Sequence, residues 1–303
     1  MDKLLLPAPA KINLSLDILG ILDDGYHQLE MIMQSISLHD MISLEKRVDD
    51  KGNSDIKLTC SDERLPQGEG NLAFQAAELF IEKTGVSAGV KINIEKNIPL
   101  AAGLAGGSTD AAAVLKGLNK LYETELTTKQ LRSLGSKIGT DVPFCIEGGA
   151  VFATERGDKL RQLPDIEKAH LVLVKPPVEV STPEIYAKYD QYQPELNIPT
   201  IRLVEMINEK NIDWSAGWAN VLEPVTEKIV SDVKTIKKRL ARFPTRHVLM
   251  SGSGPSVYAV VENKDKAKYI VDNWPRSEDF ICYCHTLKKG YPTLAGGGSA
   301  DEG

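Results

Sequence analysis

Pro99-Leu100-Ala101-Ala102-Gly103-Leu104-Ala105-Gly106-Gly107-Ser108-Thr109-Asp110 runs straight into an alanine-rich stretch, and this segment decides the fold. Gly103, Gly106 and Gly107 let a loop turn its N–H groups inward with no Cβ in the way. Behind the loop, Ala111, Leu115, Leu118 and Tyr122 recur at i, i+4, i+7 and i+11, one face of a helix. Ser108, Thr109 or Asp110 is placed to cap it. Free amides at a helix N-terminus and the positive end of its dipole suit a phosphate chain. A glycine cluster alone reads more simply as a flexible connector. Here Val90, Ile92 and Ile94 alternate just upstream, so the order is strand, glycine loop, helix. That order outlines a nucleotide-phosphate site.

Two familiar phosphate loops are excluded. G-x-x-x-x-G-K-[ST] does not occur, and the loop holds no lysine. G-x-G-x-x-G fails because Gly252-Ser253-Gly254 is followed by Pro255, Ser256 and Val257.

At 303 residues the chain is long for one core, so two domains are expected. Its 42% hydrophobic and 26% charged content is that of a soluble globular protein. No apolar run reaches the ~20 residues of a membrane span, and Pro7 and Pro9 interrupt the one N-terminal apolar stretch, against a signal peptide. Cys60, Cys145, Cys282 and Cys284 are too scattered for a disulfide scaffold, and Cys282-x-Cys284 lacks a partner pair for zinc. A cytoplasmic location follows as the expectation, with no membrane partner. A net charge of −6 argues against nucleic acid. The basic stretch from Lys234 to Arg246 reads as a solvated helix face. Positive potential for an anionic substrate must therefore come from a few lysines and helix ends.

Alternation of Ile12, Leu14, Leu16 and Ile18 with Lys11, Asn13, Ser15 and Asp17 predicts a first strand. Further strands are expected at Leu29–Leu38, Met41–Glu45, Ile56–Cys60, Val90–Glu95, Gly149–Thr154, His170–Val174, Val248–Met250 and Ser256–Val261. Helices are expected from Asn71, in two segments between the glycine loop and Gly139, and over Thr182–Tyr189, Ile201–Asn208 and Thr226–Leu240. Arg156-Gly157-Asp158 marks a turn. A boundary near residue 160 gives two α+β domains, 1–160 and 161–291, with a disordered tail over 292–303.

Together with Lys11-Ile12-Asn13 and Ser251-Gly252-Ser253-Gly254-Pro255-Ser256, the glycine loop resembles the GHMP kinases, the family of galactose, homoserine, mevalonate and phosphomevalonate kinases. The segments fall in the family's order from residue 7 to residue 260 and so span nearly the whole chain. The resemblance implies an α+β fold of two domains, the first like a ribosomal-protein domain, with the active site between them. Ala8–Leu14, Asp24-Gly25-Tyr26-His27-Gln28-Leu29, Gly139-Thr140-Asp141-Val142-Pro143-Phe144 and Asn220-Val221-Leu222-Glu223-Pro224 look like one branch of that family. That branch uses ATP to phosphorylate the 2-hydroxyl of CDP-linked methylerythritol in non-mevalonate isoprenoid synthesis. Ala105 stands where many relatives carry glycine, and Thr109 where many carry serine; both are small enough to keep the loop.

Residue roles follow from the resemblance. Lys11 and Asn13 are about 6.8 Å apart on one strand face, which alone reads as a solvated polar face. The family makes Lys11 catalytic, polarising the acceptor hydroxyl, and Asn13 a substrate contact. Asp141 reads alone as the cap of a short helix with Pro143 in its first turn. By resemblance it is catalytic, receiving the acceptor's proton or orienting the hydroxyl. Tyr26 and His27 become cytosine readers and Tyr186 a ring on the base, whereas a turn residue, a surface imidazole and a packed helix face are the plain alternatives. Thr182 caps a helix and touches substrate. Gly252, Ser253 and Gly254 close over substrate and phosphates. Asn71 is a helix cap or an ATP-pocket residue. Lys96 breaks its strand's alternation and is expected near the nucleotide or the substrate diphosphate. Residues 99 to 109 hold ATP, and Mg²⁺ bridges its phosphates, with Ser108 the one guess at a ligand. A homoserine- or mevalonate-type acceptor, a catalytically silent nucleotide binder and an RNA-binding module are the competing readings. Nothing in the sequence bears on oligomeric state.

Overall fold

The computed structural model describes residues 2–47, 55–87 and 89–290, so the tail expected over 292–303 lies outside it. The chain opens with β1 (Lys3–Ile21), β2 (His27–Arg47), β3 (Ile56–Cys60), α1 (Leu72–Thr84) and β4 (Gly89–Glu95). Next come α2 (Gly106–Leu121), α3 (Thr128–Gly135), α4 (Val142–Glu147), β5 (Ala150–Glu155) and β6 (Lys159–Gln162). The remainder is β7 (His170–Lys175), α5 (Thr182–Tyr192), α6 (Thr200–Asn208), α7 (Glu223–Ile229), α8 (Ser231–Leu240), β8 (Thr245–Met250), β9 (Val257–Val261), α9 (Lys264–Asp272) and β10 (Phe280–His285).

Two sheets result. One has the order β3-β4-β2-β5-β6 with β1 paired to β2, and the other the order β10-β7-β9-β8. The fold is α+β. Where two strands were expected over Leu29–Leu38 and Met41–Glu45, β2 runs unbroken, because β1 on one side and β4 and β5 on the other supply its ladder partners. The single helix expected over Thr226–Leu240 is instead α7 and α8, broken at the extended Val230. Thr226 ties α7 to the Ser253 carbonyl at 3.1 Å, while Val233, Ile236 and Leu240 commit α8 to the core. The strand β10 was not foreseen. It links the sheets, since Ile36 of β2 bridges to Thr286 and the His285 amide donates to Ser37 Oγ at 3.0 Å.

Ile12 and Leu14 of β1 pack in one buried cluster with Leu171, Leu203 and Tyr258, so the apolar core is continuous across residue 160. Lys11, Asn13 and Ser15 are buried as well, which corrects the reading of a solvated polar face. A buried polar group without a partner costs about 1–3 kcal/mol, and most of this face is satisfied: Asn13 donates its amide to Ser251 Oγ (3.2 Å) and its carbonyl accepts from Tyr258 OH (3.0 Å). Only the Ser15 hydroxyl of this face lacks a partner. All four cysteines are free. Among the described residues no helix is long and apolar enough to cross a membrane.

Candidate active site

A cleft of about 660 Å³ is lined from both halves of the chain, and the loop from Pro99 to Ser108 forms one of its walls. The helix behind this loop begins at Gly106, with Ala105 in the left-handed region (φ 59°) at the N-cap. No side chain caps it. Thr109, expected as a cap, donates its hydroxyl to the Pro9 carbonyl at 2.7 Å, and Asp110 is drawn into a buried ion cluster. The amides of Gly106, Gly107 and Ser108 therefore have no partner within the helix, and no acidic residue occupies its first turn. The dipole end is left for an exogenous anion.

Gly103 fixes how this loop meets the rest of the chain. Its φ is +72°, and a Cβ there would stand 2.2 Å from the Ser251 carbonyl oxygen. Only glycine fits. Ser251 donates its hydroxyl to the Gly103 carbonyl at 2.9 Å, and the Lys11 amide donates to the Leu104 carbonyl at 3.1 Å. The Ser251 turn is held in its own place by Asn220, whose Nδ2 donates to the carbonyls of Met250 (2.9 Å) and Gly252 (2.8 Å). This bond pattern is the structural content of the Asn220–Pro224 segment.

On the cleft floor Lys11 Nζ donates to Asn13 Oδ1 at 2.7 Å and stands 3.7 Å from Asp141 Oδ2. Asn13 Nδ2 in turn meets Met31 Sδ at 3.3 Å. Asp141 holds the N-cap position of α4, with Pro143 following in the first turn, yet its side chain makes no capping bond. Its carboxylate is thus left to the cleft and to Lys11. A cation and a carboxylate set around one vacant point can hold a hydroxyl, polarise it and take its proton.

At another wall His27 Nε2 meets Asp190 Oδ1 of α5 at 2.7 Å. Its ring centroid lies 4.9 Å from that of Tyr186 and 6.0 Å from that of Tyr189. Burial and the nearby Asp141 charge push the Tyr186 phenol up, so it stays neutral. Tyr26 lies under the Arg156 guanidinium at 4.4 Å, and Arg156 pairs with Asp24. Thr182 and Ser253 exchange a hydroxyl–hydroxyl bond of 2.8 Å, closing this wall from the later half of the chain.

Most of the expected residues line this one cleft: Lys11, Asn13, Tyr26, His27, the loop from Pro99 to Ser108, Asp141, Thr182, Tyr186, Gly252 and Ser253. Four do not. Lys96 is buried against Asp40 and Asp110, the latter at 2.8 Å, where its charge is spent within the fold. Asn71 is the N-cap of α1, accepting from the Ala73 amide at 2.9 Å, and its neighbour Leu72 lines the cleft instead. Thr109 is turned to Pro9, and Gly254 lies behind the wall against Met250. Sequence reading missed Arg156, taken as a turn residue, and Asp190. The available signal for Asp190 was its i+4 spacing from Tyr186, which puts both on one helix face. Among the described residues no group of three or more His, Cys, Asp or Glu side chains is arranged to hold a metal.

Known proteins resemble this chain over most of its length. Residues 71–149 match the GHMP kinases N terminal domain and residues 203–278 match GHMP kinases C terminal. A 4-diphosphocytidyl-2-C-methyl-D-erythritol kinase of Acetivibrio thermocellus is 44% identical over 279 residues, covering 92% of this chain and 97% of the relative. The crystal structure of a 4-(cytidine 5'-diphospho)-2C-methyl-D-erythritol kinase superposes with a TM-score of 0.77 at 30% identity, covering 93% of this chain and 99% of the other. A homoserine kinase from Cytophaga hutchinsonii shares the fold, with a TM-score of 0.70 at 18% identity and coverage of 95% and 96%.

Proposed function

The chain belongs to the GHMP kinase family, and from that premise we propose that it transfers the γ-phosphoryl group of ATP to the 2-hydroxyl of 4-diphosphocytidyl-2-C-methyl-D-erythritol, a step of non-mevalonate isoprenoid synthesis. The relatives that carry that activity in their names align over nearly its full length. The observation that carries the site assignment is the approach of Lys11 to Asp141 at 3.7 Å, beside uncapped helix amides. ATP lies with its phosphates on Gly106, Gly107 and Ser108, and Leu65 and Leu72 give apolar surface nearby. The acceptor lies with its base at His27, Tyr26 and Tyr186 and its polyol at Lys11, Asn13 and Asp141. Lys11 compensates charge that develops on the acceptor oxygen, and Asp141 orients the hydroxyl and receives its proton as the phosphoryl group arrives.

Magnesium suits these residues as a passenger of ATP. Such an ion takes most of its ligands from phosphate oxygens and water, with one or two protein groups, and the Ser108 hydroxyl and the Asp141 carboxylate both line the cleft. When bound it neutralises phosphate charge. The division near residue 160 falls within β6, just before the link to β7, and the cleft takes lining residues from both sides of it. The site is expected to work in the cytoplasm, where ATP is supplied. ADP release with the CDP-linked polyol, set against free sugars, homoserine and mevalonate, tests the reading. Turnover confined to homoserine or mevalonate overturns the acceptor while keeping the family, and ATP binding with no turnover overturns the kinase assignment.

A further inference from the structure

Given the cytidine-bearing acceptor of the preceding reading, on which the inference rests, we propose that Asp190 is a positioning residue that sets base specificity by holding His27 as its Nε2–H tautomer. His27 Nε2 lies 2.7 Å from Asp190 Oδ1. An ionised carboxylate only accepts hydrogen bonds, so the proton of this bond belongs to Nε2. In a neutral imidazole that leaves Nδ1 with a lone pair, an acceptor. Among the described residues nothing meets Nδ1, and His27 lines the cleft. The ring is also held from turning: Tyr186 tilts against it at 47° and Tyr189 meets it edge-on at 80°.

Cytosine and uracil differ at this point of contact. Cytosine presents an exocyclic amine, a donor; uracil presents a carbonyl oxygen at the same place. An acceptor at Nδ1 pairs with the first and sets lone pair against lone pair with the second. The location of Asp190 supports the assignment. It sits in the last turn of α5, where no basic residue accompanies it and where a carboxylate faces the negative end of the helix dipole. Helix propensity and dipole both disfavour an aspartate there, and among the described residues its hydrogen-bonding partner is the imidazole. The acceptor atom that reads the base, on a residue of the first half of the chain, is thus set by a side chain of the second half.

The test combines ¹⁵N NMR of the His27 ring in the full-length protein with steady-state kinetics on the CDP-linked acceptor and its UDP-linked counterpart, for the unmodified enzyme, Asp190→Leu and Asp190→Asn. The expected NMR result is the Nε2–H tautomer. The unmodified enzyme should favour the CDP-linked acceptor at least about tenfold in kcat/KM. Asp190→Leu should cut that preference to about threefold or less, with the loss falling on the acceptor KM rather than on kcat. Asp190→Asn, whose side-chain oxygen still accepts from Nε2, should keep most of it. An Nδ1–H tautomer in the unmodified protein, or a preference that survives Asp190→Leu, overturns the proposal. Absence of turnover with the CDP-linked acceptor in the unmodified enzyme instead overturns the substrate reading, and the NMR result then still decides the tautomer.

Discussion

Lys11 Nζ stands 3.7 Å from Asp141 Oδ2, the one on β1 and the other at the head of α4. That separation exceeds a hydrogen bond, so the two charges attract without closing on each other. Lys11 spends one donor on Asn13 Oδ1 and keeps two. A hydroxyl oxygen placed between them can accept from the ammonium and donate to the carboxylate.

Lys11→Ala and Asp141→Asn should each lower kcat by about 10²- to 10⁴-fold while ATP binding persists. Because both serve one hydroxyl, the double variant should lose much less than the product of the single losses. Steady-state kinetics with a nucleotide titration checks this. Folded single variants with near-normal kcat would remove both residues from the chemistry.

The glycine loop offers a clean steric probe at Gly107. A Cβ there would meet Leu72 at 3.5 Å, an ordinary contact, whereas one at Gly106 would sit 3.3 Å from Lys96 Nζ and Ile98 Cγ2. Gly107→Val should weaken ATP binding at least about tenfold with an unchanged Tm, and Gly106→Val should lower both. Unimpaired ATP affinity in Gly107→Val would make the loop a mere connector.

Lys96 joins two buried carboxylates, so the cluster carries more negative than positive charge when fully ionised. Asp110 is pushed up to about 7 from an ordinary 3.8, mainly by burial, and its Oδ1 has no partner. The folded chain then holds a proton that the unfolded chain has released, so this group's contribution to stability falls as pH rises from about 4 to about 7. Asp110→Asn should flatten that part of the stability curve. Lys96→Met, which leaves Asp40 facing Asp110, should be destabilising by about 3–5 kcal/mol at neutral pH. Urea unfolding across this pH range decides, and parallel curves for the unmodified protein and Asp110→Asn would rule out the assignment.

Base recognition by stacking makes a separate claim. Tyr186→Ala removes a ring interaction of about 1–3 kcal/mol and should raise the acceptor KM about 5- to 150-fold, leaving the KM for ATP in place. His27→Ala should lower both the rate and the preference for CDP over UDP. An acceptor KM insensitive to Tyr186→Ala would return that ring to its packing role.

The sequence by itself determined what local chemistry can encode. Period-two alternation located β1 and β4, the run of Ala111, Leu115 and Leu118 located α2, and three glycines marked the phosphate loop; each is a property of neighbouring residues. The family's segments also named Lys11 and Asp141. Tertiary structure decided everything that depends on a partner remote in the chain. Lys96 interrupts an apolar alternation, which reads as a side chain meant for a ligand, yet Asp40 and Asp110 consume its charge. Ser108, Thr109 and Asp110 all have capping chemistry, but Ala105 in a left-handed conformation starts the helix and leaves its amides open. Asn71 resolved toward capping and Asp141 away from it, because a side chain's bond follows the nearest unpaired group and not its residue type. Asp190 meets His27 only because the fold brings α5 to the first residue of β2. A hydrogen bond or an ion pair is set by distance in space, and sequence order does not carry that distance.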